Sequence, residues 1–277
     1  MKMKYEPRIL IAIDIAIKEP YLSMIHEGPY ETWANEKSPN LSVISYFSRK
    51  PSKFMIKLNE FVENMRWNSG KYPSYFISYF LMWTLAPFRK CLPKIFEVRR
   101  KENKTLNKEF LIKIPEALFS QRWKKLGVIN HFCKNTDFDF LLLITPSCYI
   151  QTSKLIDFAK TWPLDKPFYA GSIQTAADGP FVAGGALVMN RLSAQALIDT
   201  RRYIPTHTMD DVAFGVAIRK CSIELGQLPM LNITDINQIS LENVKESFYI
   251  RVKGGTQQNR TDASTMRKIH QLFEDSH

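Results

Sequence analysis

The stretch TDFDFLLLITPSCYI, residues 136–150, decides how the rest of the chain is read. Its aspartate-flanked apolar run, residues 138–144, has the length and composition of a fully buried strand, and Pro146 removes the backbone donor that continued pairing would need. In open sheets of strands and helices, ligands bind beyond the carboxyl ends of the strands. The tip of this strand is therefore where metal-binding or catalytic carboxylates are expected, yet it carries Thr145, Pro146, Ser147 and Cys148. Asp137 and Asp139 lie at the start of this run, and about six strand residues, roughly 20 Å, separate them from the tip.

Outward from this strand, the pattern alternates between strand and helix. Upstream, residues 8–17 read as a first strand, 20–36 as a helix or structured loop, and 41–47 as a second strand. Residues 53–66 have helical apolar spacing, 110–114 form a short strand, and Pro115-Glu116 opens a helix running to about Cys133. Downstream, Thr152 or Ser153 caps a helix over SKLIDFAKTW, and residues 167–173 read as a strand. GPFVAGGALVMN (179–190) reads as a strand with a glycine pair, and helices follow over 193–201 and 208–220. QLPMLNIT (227–234) and ESFYIRVKGG (246–255) read as strands, and 262–274 as a terminal helix. With no internal repeat and no low-complexity linker, this describes one mixed α/β domain over residues 1–277. It comprises a first half, 1–150, with an aromatic and basic insertion at about 66–104, and a second half, 151–277.

The 277 residues, 45% of them hydrophobic, suffice for a substantial core, and the net charge of +11 points to an acidic partner. Basic residues are spread along the chain without a nucleic-acid motif, which argues against nucleic acid. The four cysteines, Cys91, Cys133, Cys148 and Cys221, lack ligand spacing and are read as reduced thiols. Asp14 interrupts the apolar N-terminal run and no small-residue cleavage site follows, so the expectation is a cytoplasmic protein whose N-X-S/T sequons are chance matches. The insertion contains YPSYFISYFLMWTLAPF (72–88), too short for a membrane span. Its flanking Lys71, Arg89, Lys90 and Lys94 suit either an interfacial helix at the inner face of an anionic membrane or the surface of a buried core helix.

NTDFDFLLLITPSCYI, PFYAGSI, PFVAGGALVMNRLSAQAL and MDDVAFGVAIRKCSIEL occur in an order and spacing that resembles the fringe-like, beta-1,3-glycosyltransferase-type family, and IHEGPYETW (25–33) is similar to that family's RxAIRxTW. The resemblance extends from Arg8 to about Leu228. It implies an A-type glycosyltransferase fold, with a mixed central sheet flanked by helices, and inverting transfer of a sugar from a nucleotide-sugar donor to a glycan or lipid-linked acceptor. Where the family has three consecutive aspartates that hold a divalent metal, this chain has Thr145-Pro146-Ser147. The expectation is therefore no metal and no other cofactor.

The resemblance places Asp211 at the position of the general base, beside Asp210; an acid there also caps a helix well, and both readings stand. It places Gly184 and Gly185 with Thr145 and Ser147 around the donor and acceptor, although a glycine pair in a strand equally marks a bulge. A diphosphate leaving without a metal needs fixed cations. Arg251 and Lys253, alternating on one strand face, and Arg260 in the following loop are the candidates, with a solvated edge strand as the alternative. His207 precedes Asp210 and reads as a loop histidine. The competing function is a catalytically inert relative that binds a nucleotide or glycan, motivated by the same missing acids.

Overall fold

The computed structural model describes residues 5–16, 19–54, 56–57, 92–98, 108–116, 121–205, 208–255 and 260–275. The aromatic segment 72–88, most of the 66–104 insertion and His207 lie outside the described residues.

The strands are β1 Ile9–Ile15, β2 Leu41–Arg49, β3 Ile95–Val98, β4 Lys108–Pro115, β5 Phe140–Ile144, β6 Cys148–Ile150, β7 Tyr169–Ala176, β8 Gly179–Asn190, β9 Leu225–Gln227, β10 Leu231–Ile233 and β11 Tyr249–Val252. The helices are α1 Tyr21–Glu27, α2 Gln121–Asn135, α3 Thr152–Ala159, α4 Arg191–Asp199, α5 Asp210–Lys220, α6 Leu241–Val244 and α7 Asp262–Glu274. Among the described residues, eight strands form one sheet in the order β3-β4-β2-β1-β5-β8-β7-β9, and β10-β11-β6 form a second. β4, β2, β1 and β5 run parallel, while β8 runs antiparallel to both β5 and β7. The protein is therefore an α/β fold with a mixed central sheet flanked by helices. Pairing of β5 with β8 carries the chain on both sides of residue 150 into one sheet.

The period of two along a strand divides the core. Ile9, Ile11 and Ile13 of β1 pack with Phe140 and Leu142 of β5 on the face covered by the second sheet and α7; Leu10 and Ala12 pack with Leu141 and Leu143 on the face covered by α2, α4 and α5. β5 is buried along its whole length, which explains why its sequence is continuously apolar rather than alternating. On α2, Leu126, Ile129 and Phe132 are fully buried. Burying a large apolar side chain is worth about 1.5–3 kcal/mol, so this contact anchors α2 against the sheet.

Three local expectations are corrected. Pro115 ends β4 instead of opening a helix; β3 stops at Ile95 opposite Ile112, so among the described residues no ladder on that side calls for an amide at position 115. Neither Thr152 nor Ser153 caps α3: Gln151 occupies the cap without a side-chain bond, and the Thr152 hydroxyl donates to the Glu36 carboxylate. Residues 227–234 form not one strand but parts of two, β9 in the large sheet and β10 in the small one, separated at Pro229, which cannot donate to a ladder.

Candidate active site

The tip of β5 is fixed on two sides. The Thr145 amide donates to the Gly185 carbonyl at 3.3 Å, and the chain turns at once into β6, which pairs with β11. Trp33, from the motif at residues 25–33, donates its indole N–H to the Cys148 carbonyl at 3.0 Å. Thr145 remains half-buried, but Pro146 and Ser147 are buried. The Ser147 hydroxyl accepts from Arg260 Nη2 at 3.0 Å and its carbonyl accepts from the Val252 amide at 2.8 Å. Arg260 is itself held by Asp262, with Nε to Oδ1 at 3.0 Å and Nη2 to Oδ2 at 2.5 Å, and Asp262 is fully buried.

This tip does not fit a divalent cation. Such an ion wants several oxygen ligands, preferably ionised; here Pro146 contributes no side-chain donor, and the Ser147 hydroxyl is engaged with the Arg260 guanidinium. Asp137 and Asp139 are used at the opposite end of β5, where they accept from the Arg8 guanidinium at 2.6 Å and the Arg8 amide at 2.8 Å.

Just beyond the end of β5, the β7–β8 register shifts between Gly171 and Ile173, so that four β8 residues, 183–186, lie opposite the single residue Ser172. A bulge of this kind re-aims the backbone. Gly184 and Gly185 stand in it, and as successive strand residues they open to opposite faces. A Cβ built on Gly184 would lie 3.3 Å from Lys125 Nζ and 3.4 Å from Asp211 Oδ2, whereas one on Gly185 would lie 3.1 Å from the Tyr249 hydroxyl and 3.6 Å from Arg251 Cζ. The glycine pair thus separates a carboxylate cluster from a guanidinium.

On the carboxylate side, Asp211 Oδ2 accepts from the Gly184 amide at 3.1 Å and Oδ1 from the Val212 amide at 2.8 Å. Asp210 Oδ2 pairs with Lys125 Nζ at 2.5 Å. Neither acid caps α5, because Met209 holds that position without a side-chain bond; both stand in the first turn, where the helix dipole favours negative charge. Burial alone would raise the Asp210 pKa, but the charge and hydrogen bond of Lys125 outweigh it and hold the carboxyl below the ordinary value.

On the other side, the Tyr249 hydroxyl and Cys148 Sγ are 3.1 Å apart, and Cys148 Sγ donates to the Gly185 carbonyl at 3.4 Å. Arg251 Nε is buried with no hydrogen-bond partner among the described residues. Lys253 lies just past β11 and is exposed, its amide donating to the Ile233 carbonyl at 3.1 Å. The structure therefore gathers Asp210, Asp211, Gly184, Gly185, Thr145 and Arg251 around one bulge. It ties Arg260 and Ser147 into the wall beside it and leaves Lys253 on the surface.

Lys124 and Lys125, absent from the sequence-based set, organise the carboxylate side. Lys124 Nζ is fully buried and meets Asp14 at 2.5 Å, Glu116 at 3.1 Å and the Ile15 carbonyl at 2.7 Å. Arg122 donates to the Pro205 and Thr208 carbonyls, fastening the segment that leads into α5. Acids surround the buried Tyr46 hydroxyl as well: burial first, then Asp14, Asp210 and Glu116, push its pKa far up. A signal was present in RWKK, since cations toward the N-terminal end of a helix oppose its dipole and call for compensating acids.

No family model matches this chain, and no curated protein is similar enough in sequence to match. Among solved structures, the chain is similar to the glycosyltransferase GlyE of Streptococcus pneumoniae TIGR4, with TM-score 0.40, 12% identity, and coverage of 89% of this chain and 55% of that one. For the apo form of GlyE the TM-score is 0.43 and the identity 11%, over 98% of this chain and 64% of that one. This chain thus spans between half and two thirds of the length of those structures.

Proposed function

We propose that the protein is a glycosyltransferase of the A-type fold that moves a sugar, with inversion and without a metal, from a nucleotide-sugar donor to a glycan or lipid-linked acceptor. The observation that carries the reading is that a carboxylate, Asp211, and a guanidinium, Arg251, both border the Gly184-Gly185 bulge beyond the end of β5. Backside displacement needs a carboxylate by the attacking oxygen and a cation by the departing one. The acceptor oxygen forms its bond to the anomeric carbon and gives its proton to Asp211. The bond from that carbon to the diphosphate breaks, and its electron pair leaves with the phosphate oxygen. Arg251, whose Nε has no partner among the described residues, faces that charge, with Lys253 at the rim. Arg260 acts by holding Ser147 and the strand tip.

The test is release of nucleoside diphosphate from a panel of nucleotide sugars, with and without chelator. Turnover of at least one donor is expected to survive chelation, and Arg251→Ala is expected to lower it by about 10²–10³-fold, the scale for losing one preorganised charge-stabilising donor. Reversible loss in chelator with rescue by manganese would overturn metal independence. A nucleotide that binds without turnover on any donor would favour the inert relative instead.

A lipid-linked acceptor would place the protein on an anionic membrane surface, a reading supported by the basic flanks of residues 72–88. Sedimentation with anionic liposomes is expected to be salt-sensitive and weakened by charge reversal at Arg89 and Lys90. Equal sedimentation of the wild type with neutral vesicles would count against it.

A further inference from the structure

We infer that Lys125 is the positioning residue that keeps Asp210 and Asp211 together as two carboxylates and so leaves Asp211 free to take the acceptor's proton. The inference rests on the transferase reading for its chemical role, and on geometry for the pairing.

Adjacent carboxylates in a partly desolvated site repel, and without compensation one of them holds a proton. A proton retained on the pair at working pH would blunt the base. Lys125 prevents this from a different element: its Nζ is 2.5 Å from Asp210 Oδ2, with the two side chains 11% and 20% exposed. The same ammonium reaches the position beside Gly184 where Asp211 also lies. Of the other described cations nearby, Lys124 already serves Asp14 and Glu116, and Arg122 donates to carbonyls.

Among the described residues, charged and titratable groups surround the pair from several elements. α2 contributes Lys125 and Arg122, whose guanidinium is engaged with carbonyls; β1 contributes Asp14 and the residue after β4 is Glu116; β2 and β7 contribute the buried Tyr46 and Tyr169. Both tyrosines are held neutral, their pKa values raised first by burial and then by the acids. Burial disfavours the Lys125 ammonium, but Asp210 and Asp14 hold its pKa above the ordinary lysine value. Because the Asp210 pKa is depressed by folding, its contribution to stability is present above the unfolded carboxyl value of about 4 and is lost as pH falls through the folded value.

The experiment titrates the aspartate carboxyls of the full chain by carbon-detected NMR in wild type, Lys125→Met and Lys125→Arg, alongside the pH dependence of kcat/KM. In Lys125→Met the Asp210 midpoint is expected to rise by about one unit or more, loss of stability on acidification to begin at higher pH, and the acid limb of kcat/KM to move the same way. Lys125→Arg should stay close to wild type. An unchanged Asp210 midpoint with only a lower unfolding temperature would make Lys125 a purely structural residue and overturn the inference. If Lys125→Met fails to fold, Lys125→Gln decides by the same readout: the Asp210 midpoint should again rise, and no movement overturns the coupling. The expected titrations in a protein that turns over no donor would uphold the pair and overturn its role in transfer.

Discussion

Asp211→Asn is expected to lower turnover by roughly two orders of magnitude or more, the usual scale for losing general-base catalysis, while the fold and donor binding persist. The amide is nearly isosteric, and its carbonyl oxygen can still accept from the Gly184 amide, the contact that joins α5 to β8 at 3.1 Å. It cannot hold the acceptor's proton. Steady-state kinetics on the best donor, with unfolding measured in parallel, checks both halves of the expectation. Retention of most activity would remove Asp211 from the mechanism and move attention to Asp210, whose carboxylate is already committed to Lys125.

The largest effect on stability is expected at Lys124. Replacement by Met fills most of the same volume but leaves Asp14 and Glu116, whose side chains are both 14% exposed, without the cation that neutralises them, and leaves the Ile15 carbonyl without its donor. Breaking a buried ion pair by removing one partner costs about 3–5 kcal/mol, because the remaining charge is uncompensated. Urea denaturation at neutral pH should show a loss of that order, and adding Asp14→Asn and Glu116→Gln should recover part of it. A loss below about 1 kcal/mol would place the network with exposed ion pairs, which are worth little. The same measurement bears on the site, since Lys124 neighbours Lys125 in the helix that fastens α5.

How much of this was legible differs from segment to segment. The terminal helix at 262–274 and the strand at 179–190 agree with their sequence-based bounds, and the helix expected from 208 starts at Asp210. In each, periodicity and punctuation residues agree with the tertiary environment. The division of 227–234 between two sheets was not legible, because Pro229 marks a break but not where each side goes. Nor was the capture of Arg260 by Asp262 and Ser147. RTD is visible in the chain as a cation and an acid two residues apart, but whether the cation faces a ligand or its own neighbour depends on burial of that carboxylate.

The sequence by itself determined several elements, β1, β2, β5, β8, α5 and α7 among them, and the absence of acids in the Thr145-Pro146-Ser147 triplet, since apolar runs, glycines and prolines act through local backbone geometry and hydration. It also marked Asp210-Asp211 and Gly184-Gly185 as places where chemistry could occur. Only the tertiary structure decided which charges meet: Lys125 with Asp210, Lys124 with Asp14 and Glu116, and Arg251 across the glycine pair from Asp211. Electrostatic partnership depends on distance and on exclusion of water. Both arise only when α2 is laid against the sheet and β6 is drawn into pairing with β11.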